Sequence, residues 1–366
     1  MMTFNATELA NVGIRNLSPY QAGKPIEELE RELGIKNIVK LASNENPLGL
    51  SSKVKVALTE MLVGLARYPD ANGFYLKAKI AEKFGVQANQ ITLGNGSNDV
   101  LELLARTFVN DEHEVIYSQH AFVVYPLVTQ ALGAKGIAVP AKDYGHDLDA
   151  MAAAITSRTR MIFIANPNNP TGTFLTAEQL ATFIAKVPDN VLVVLDEAYY
   201  EYVPAGQRAP SLEWLKQYPN LVVSRTFSKA YGLAGLRAGF MVTHPDLADL
   251  MNRVRQPFNM NSLSLRAAEV ALDDNDYLAE SVAVNDAGMA QFVAFCEQHQ
   301  LPFIPSHGNF LTIEVGDDAT GLYQKLLQQG VIVRPVAGYE LPRHLRVSIG
   351  LKHENQAFID AMETLL

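Results

Sequence analysis

The sequence predicts an α/β protein: a large unit built on a mostly parallel sheet covered by helices on both faces, followed by a smaller α+β unit. Three observations predict it. Short runs at 161–165, 191–195 and 221–223 are apolar throughout, as strands buried on both faces must be. From about residue 90, strand, loop and amphipathic helix alternate. Beyond 256–262, which holds Pro257 and two asparagines, that alternation gives way to a long helical stretch and then spaced strands.

The elements follow from local signals. Residues 26–33 read as a short acidic helix, and 41–47 as a polar turn opening a helix over 51–66. Pro69 ends that helix, and another follows at 75–84. Strands are expected at 91–93, 115–118, 137–139, 161–165, 191–195 and 221–223. Helices are expected at 100–108, 125–132, 150–155 and 177–185, the last with Thr176 as its N-cap. In the tail a helical region runs from 263 to about 299. Strands follow at 303–304, 310–315, 331–334 and 344–349, with helices at 319–329 and 354–366.

Composition narrows the function. The 366 residues are 48% hydrophobic and 19% charged, a globular profile, and the net charge of −9 argues against a nucleic-acid surface. Cys296 is the only cysteine, so an intrachain disulfide and a cysteine zinc site are excluded and a reducing compartment, the cytoplasm, is expected. The first residues carry neither a basic nor an apolar signal region, and no apolar run reaches membrane-spanning length. The eight histidines contain no HExxH pair. No metal is expected.

Chemistry concentrates in four loops at strand ends, where ligands bind in open α/β sheets. GNGSND at 94–99 joins a strand to a helix, so its backbone N–H groups suit a phosphate; capping by Ser97 or Asn98 without a ligand is the alternative. Asp99 stands where a dinucleotide motif would have its third glycine. NPNNPTG at 166–172 is a stiff turn that either aims Asn169 at a ligand or satisfies its own backbone. Asp196 follows the apolar run 191–195 and suits a buried cation, or else caps the next helix. The fourth segment, 221–240, holds Ser228, Lys229 and Arg237 among small residues. Lys229 has no acidic neighbour there, which suits a partly uncharged, nucleophilic amine; an ordinary loop lysine is the alternative. Together the loops offer an anion site, an acid for a ring nitrogen, an amide and a lysine, the equipment of a pyridoxal phosphate site.

NPNNPTG, DEAY and SKAYGLAGLRAGF, in this order, resemble the fold-type-I aminotransferases that use pyridoxal phosphate. The resemblance runs from SNENP near residue 43 to LRVSIG at 345–350. Within that superfamily the chain is most similar to the histidinol-phosphate aminotransferases, on residues 43–47, 67–70, 308–310 and 330–350. It implies a seven-stranded sheet in a large domain at 46–260, a small C-terminal domain at 261–366, and an arm at 1–45 that joins the small domain and a dimer contact.

The resemblance also implies roles. Lys229 matches the lysine that forms the Schiff base and acts as the base. Asp196 matches the partner of the pyridine nitrogen, Asn169 and Tyr199 the donors to the ring's phenolic oxygen, and Phe122 the stacking aromatic. Ser97, Asn98, Thr226, Ser228 and Arg237 match the phosphate cup. Relatives often have Ala-Asp-Glu where this chain has Ser97-Asn98-Asp99. Tyr68 matches a tyrosine that reaches the cofactor phosphate of the other subunit, which implies a homodimer. Arg346 matches the arginine for the substrate's acid group, Arg334 and Tyr20 the grip on histidinol phosphate, and Asn309 a support for the substrate arginine. The implied reaction interconverts L-histidinol phosphate and 2-oxoglutarate with imidazole-acetol phosphate and L-glutamate, in histidine biosynthesis. An aromatic amino-acid aminotransferase is the runner-up, and a phosphoamino-acid decarboxylase stands behind it. A transcription regulator with such a domain is disfavoured by the charge and the absence of spare N-terminal length.

Overall fold

Val193, Val194 and Leu195 are completely buried, because the strand that carries them lies at the middle of a seven-stranded sheet. A computed structural model describes residues 4–20 and 23–366. In chain order the strands are β1 (Val39–Lys40), β2 (Ile91–Gly94), β3 (Glu114–Ser118), β4 (Lys135–Val139), β5 (Thr159–Ala165), β6 (Leu192–Asp196), β7 (Leu221–Thr226) and β8 (Gly239–Val242). The large sheet has the order β2-β8-β7-β6-β5-β3-β4. Only β8 runs antiparallel to its neighbours. Apolar side chains cover both faces: Ile162, Ile164, Val193 and Val223 pack on one side, and Met161, Phe163, Val194 and Val222 on the other. This is the alternation of a strand buried on both sides.

The remaining strands, β9 (Phe303–Ile304), β10 (Phe310–Glu314), β11 (Val331–Ile332), β12 (Arg334–Pro335) and β13 (His344–Ser348), build the smaller unit. Four of them form an antiparallel sheet in the order β12-β13-β10-β9. The N-terminal arm joins this unit: β1 pairs in parallel with β11, and Leu29 and Ala42 pack with Leu327 and Ile332.

Several elements differ from expectation, each for a local reason. Strand β7 continues through Ser224, Arg225 and Thr226, although a charged residue there reads as loop. Arg225 is buried because Glu197 accepts from its Nε at 3.0 Å and its Nη2 at 2.9 Å, and because it lies 3.7 Å over the Tyr200 ring. Strand β8 was not expected, being hidden in a glycine-rich run. The helix expected over 51–66 ends at Met61 and passes into a 3-10 turn, Leu62–Gly64. The long C-terminal helical region is two helices, Ser262–Asp273 and Asn275–Gln298, separated at Asp274. The first contributes Leu265, Ala267, Ala268, Ala271 and Leu272 to the core of the large sheet. A division at 260/261 therefore falls ahead of a helix that packs with the larger unit. The 331–334 run serves two sheets, because β11 pairs with β1 while β12 pairs with β13.

Candidate active site

The carboxyl ends of β2, β5, β6 and β7 open into one cavity roofed by the arm and the small unit. At one end lies an anion cradle. The helix Ser97–Phe108 starts there with Gly96 as N-cap and no side-chain cap, so neither Ser97 nor Asn98 closes the helix and its first N–H groups stay available. Gly96 has φ +87°, and a Cβ on it would lie 2.4 Å from Arg237 Nη2. Arg237, itself left-handed at φ +59°, donates from Nη1 to Ser228 Oγ at 3.3 Å and to the Ala234 carbonyl at 3.1 Å. Ser228 N donates to Thr226 Oγ1 at 3.1 Å. A helix N-terminus, hydroxyls and a guanidinium thus converge on one spot, as a phosphate requires. Asp99 braces the loop from behind, where its Oδ2 accepts from Asn95 N and from Asn259 Nδ2 at 2.8 and 2.9 Å.

Asp196 lies deeper, at the end of β6. Its Oδ2 accepts from the Tyr125 hydroxyl at 2.7 Å, while Oδ1 is buried with no partner among the described residues. Burial pushes the carboxyl up to about 6, against the opposing pull of the Tyr125 hydrogen bond. A buried carboxylate oxygen left unpaired is a site for a cationic ligand. Tyr125 is itself fully buried and stacks on Phe163 with centroids 4.4 Å apart. Burial and the adjacent carboxylate hold its phenol well above its ordinary value, so it remains a donor.

Lys229 Nζ donates to the Ser43 carbonyl at 3.2 Å. Desolvation first, then the nearby Arg346 and Arg237 charges, lowers the amine to about 8, while Glu45 and Asp196 oppose the shift. About a tenth of the amine is then free base at pH 7, far more than for an ordinary lysine, as a nucleophilic amine needs. The Tyr199 hydroxyl accepts from Asn44 Nδ2 at 2.9 Å, leaving its own proton to donate, and burial raises the phenol to about 12. Asn169 Oδ1 accepts from Arg346 Nη1 at 2.5 Å, which turns its amide N–H groups to other partners. Arg346 Nη2 donates to the Ala42 carbonyl at 2.7 Å, and its Nε has no partner among the described residues. Arg334 lies 5.6 Å over the Tyr20 ring and lines the cavity together with Tyr339.

The structure brings Tyr20, Ser97, Asn98, Phe122, Asn169, Asp196, Tyr199, Thr226, Ser228, Lys229, Arg237, Arg334 and Arg346 around this one cavity. Two expected residues lie elsewhere. Asn309 is buried and does not line the cavity; it donates to the Asn44 carbonyl at 3.0 Å and so braces the arm. Tyr68 is 81% exposed and stacks on Phe258, away from the cavity of its own chain. Tyr125, Asn44, Ser348 and Tyr339 were missed. Ser348 Oγ donates to Asn44 Oδ1 at 2.9 Å and completes the chain to Tyr199. The polar turn SNENP was a usable signal for Asn44. Tyr125 lies in VVYPLV, where only a polar tip in an apolar helix hinted at a buried partner.

The pattern of the aminotransferase class I and II family matches residues 36–361. The chain belongs to this family. It is 69% identical over 365 residues to histidinol-phosphate aminotransferase 1 of Idiomarina loihiensis, covering 100% of both chains. It is 57% identical to histidinol-phosphate aminotransferase 2 of Haemophilus influenzae strain 86-028NP, covering 98% of both. Among solved structures, the histidinol-phosphate aminotransferase of Sinorhizobium meliloti in complex with pyridoxal-5'-phosphate superposes with a TM-score of 0.90 at 28% identity, over 97% of this chain and 98% of that one. This aminotransferase therefore has the family's fold over nearly its whole length. No helix among the described residues is long and apolar enough to cross a membrane. No group of three or more His, Cys, Asp or Glu among them could hold a metal ion.

Proposed function

We propose that this aminotransferase exchanges an amino group between L-histidinol phosphate and 2-oxoglutarate, giving imidazole-acetol phosphate and L-glutamate, with pyridoxal 5'-phosphate in the cavity. The observation that carries the substrate reading is the pair of cationic grips, Arg334 and Arg346, in the same cavity as Lys229 and apart from the Arg237 cradle. One pocket must accept a phosphate and a carboxylate in turn, and two guanidinium forks serve both. The phosphate of L-histidinol phosphate is bulkier and more highly charged than the carboxylate of phenylalanine or tyrosine, and two guanidinium forks suit it better.

The residues fit the cofactor. The Gly96–Arg237–Ser228 cradle takes its phosphate, the unpaired Asp196 Oδ1 its protonated ring nitrogen, and Asn169 and Tyr199 its phenolic oxygen, with Phe122 against the ring. Bound pyridoxal phosphate supplies the electron sink and carries the amino group between substrates. Lys229 Nζ would hold the cofactor covalently, and its free amine would move the proton at the substrate Cα. Asp196 keeps the ring nitrogen protonated, and Tyr125 keeps Asp196 ionised. Arg346 holds the acid group of glutamate, oriented by Asn169 and Ala42.

The working unit is a homodimer in which Tyr68 enters the neighbour's site. Its support is the exposed face formed by Val63, Tyr68, Phe74 and Tyr75, four large apolar side chains at 67% exposure or more, which calls for a covering surface. The arm through residue 45 and the C-terminal unit close the cavity over the large domain, with the helix Ser262–Asp273 counted to the latter. The enzyme works in the cytoplasm, in keeping with its single buried free cysteine.

The test is spectroscopic. Adding L-histidinol phosphate to the holoenzyme should bleach the visible band of the lysine-bound cofactor at far lower concentration than L-phenylalanine or L-tyrosine. Equal potency of the aromatic amino acids would overturn the substrate assignment. A protein that shows no visible band with added pyridoxal phosphate would overturn the enzyme.

A further inference from the structure

The loop leaving β3 reaches across the domain junction. His120 is buried, and its Nδ1 lies 2.7 Å from the Tyr339 carbonyl oxygen on the small unit. A carbonyl only accepts, so Nδ1 carries the proton. The neighbouring Gln119 donates from Nε2 to Glu340 Oε2 at 2.5 Å, and its own Oε1 accepts from Ala141 N at 3.1 Å. His120 is anchored from below as well: its carbonyl accepts from Asn168 Nδ2 at 3.1 Å, one residue before Asn169. On the far side, Glu340 adopts φ +60°, a conformation a non-glycine residue keeps only when its surroundings impose it.

The segment held in this way, Ala337–Tyr339, places the Tyr339 phenol in the cavity wall beside Arg334, whose charge acts on it. We propose that His120 is a positioning residue: through the Tyr339 carbonyl it holds the Tyr339 phenol, and through that the Arg334 guanidinium, in register to grip the phosphate of the substrate. His120 itself does not line the cavity. The exposed Gln119–Glu340 contact contributes little by itself, so the buried His120 bond does the holding. The inference rests on the reading of Arg334 as the phosphate grip.

The test compares holoenzyme variants on L-histidinol phosphate and on L-histidinol, which differ only by the phosphate. His120→Phe fills a similar space without the donor and should raise KM for histidinol phosphate about tenfold, the order expected for loosening one hydrogen-bonded support. Its kcat should stay within about twofold, and its kcat/KM on histidinol should be unchanged. His120→Asn keeps a donor near the Nδ1 position and should restore the KM. His120→Gln displaces the donor by one bond and should not. Tyr339→Phe should likewise raise KM for histidinol phosphate, and combining it with His120→Phe should add little, because both act on Arg334. An equal loss on both substrates, a loss in kcat alone, or no loss would overturn the latch while leaving the substrate assignment standing. The same holds if His120→Phe does not fold and the asparagine and glutamine variants behave alike. If the unaltered enzyme fails to favour histidinol phosphate over histidinol, the substrate reading fails and the latch falls with it.

Discussion

Replacing Asp196 by asparagine should stabilise the cofactor-free protein while removing its chemistry. In the folded chain the carboxyl is pushed from 3.8 to about 6 by burial. The folded state therefore binds more protons than the unfolded state between those values. The cost of the carboxylate is absent below pH 3.8, grows through the window, and is complete above about 6. That rise corresponds to about 3 kcal/mol at pH 8 and about 1.5 kcal/mol at pH 5. Asp196→Asn keeps the shape and removes the charge, so its advantage over the unaltered chain should grow by about 1.5 kcal/mol from pH 5 to pH 8. Urea melts of both cofactor-stripped proteins, at equal protomer concentration, measure it. With pyridoxal phosphate added the order should reverse at pH 8, because the cationic ring nitrogen pairs only with the carboxylate. A pH-independent difference, or a less stable cofactor-free variant, would refute the claim that Asp196 is held ionised at a cost for a cationic ligand.

Three further outcomes are expected. Formation of the visible band on adding pyridoxal phosphate to the stripped protein should quicken about tenfold between pH 7 and pH 9, since the free-base fraction of Lys229 rises through its value of about 8; a flat or falling stopped-flow profile contradicts it. Gly96→Ala should weaken cofactor binding at least about tenfold, because its methyl would lie 2.4 Å from Arg237 Nη2 at φ +87°; fluorescence titration of the stripped protein reads the change. Inactive Lys229→Ala and impaired Tyr68→Phe homodimers, mixed and allowed to exchange subunits, should regain activity through the one hybrid site that carries neither defect, and a mixture no more active than its parts would argue against Tyr68 crossing.

The reach of the sequence is clearest at the loops. Val193–Leu195 and Leu221–Val223 read as strands because both faces of a central strand are apolar, and the residues after them, Asp196 and Lys229, inherit their place at the sheet edge. Periodicity and loop chemistry are local properties, so they survive in one dimension. The family resemblance rests on the same local runs and reaches most of the residues that line the cavity. What lay beyond it depends on contacts between distant residues. Tyr125 meets Asp196 across 71 positions and His120 meets Tyr339 across 219, and neither spacing has a signature along the chain. Arg225 looked like loop because its charge is cancelled by Glu197, which only folding brings near. Asn309 and Asn44 show the same limit: each is an asparagine beside a glycine-rich or polar turn, and packing alone decides which one braces the wall and which one touches Tyr199. The residue types and their order thus determine the fold class and the kind of chemistry, while the long-range hydrogen bonds that tune pKa values and hold the cavity's arginines form only when the small unit packs on the large sheet.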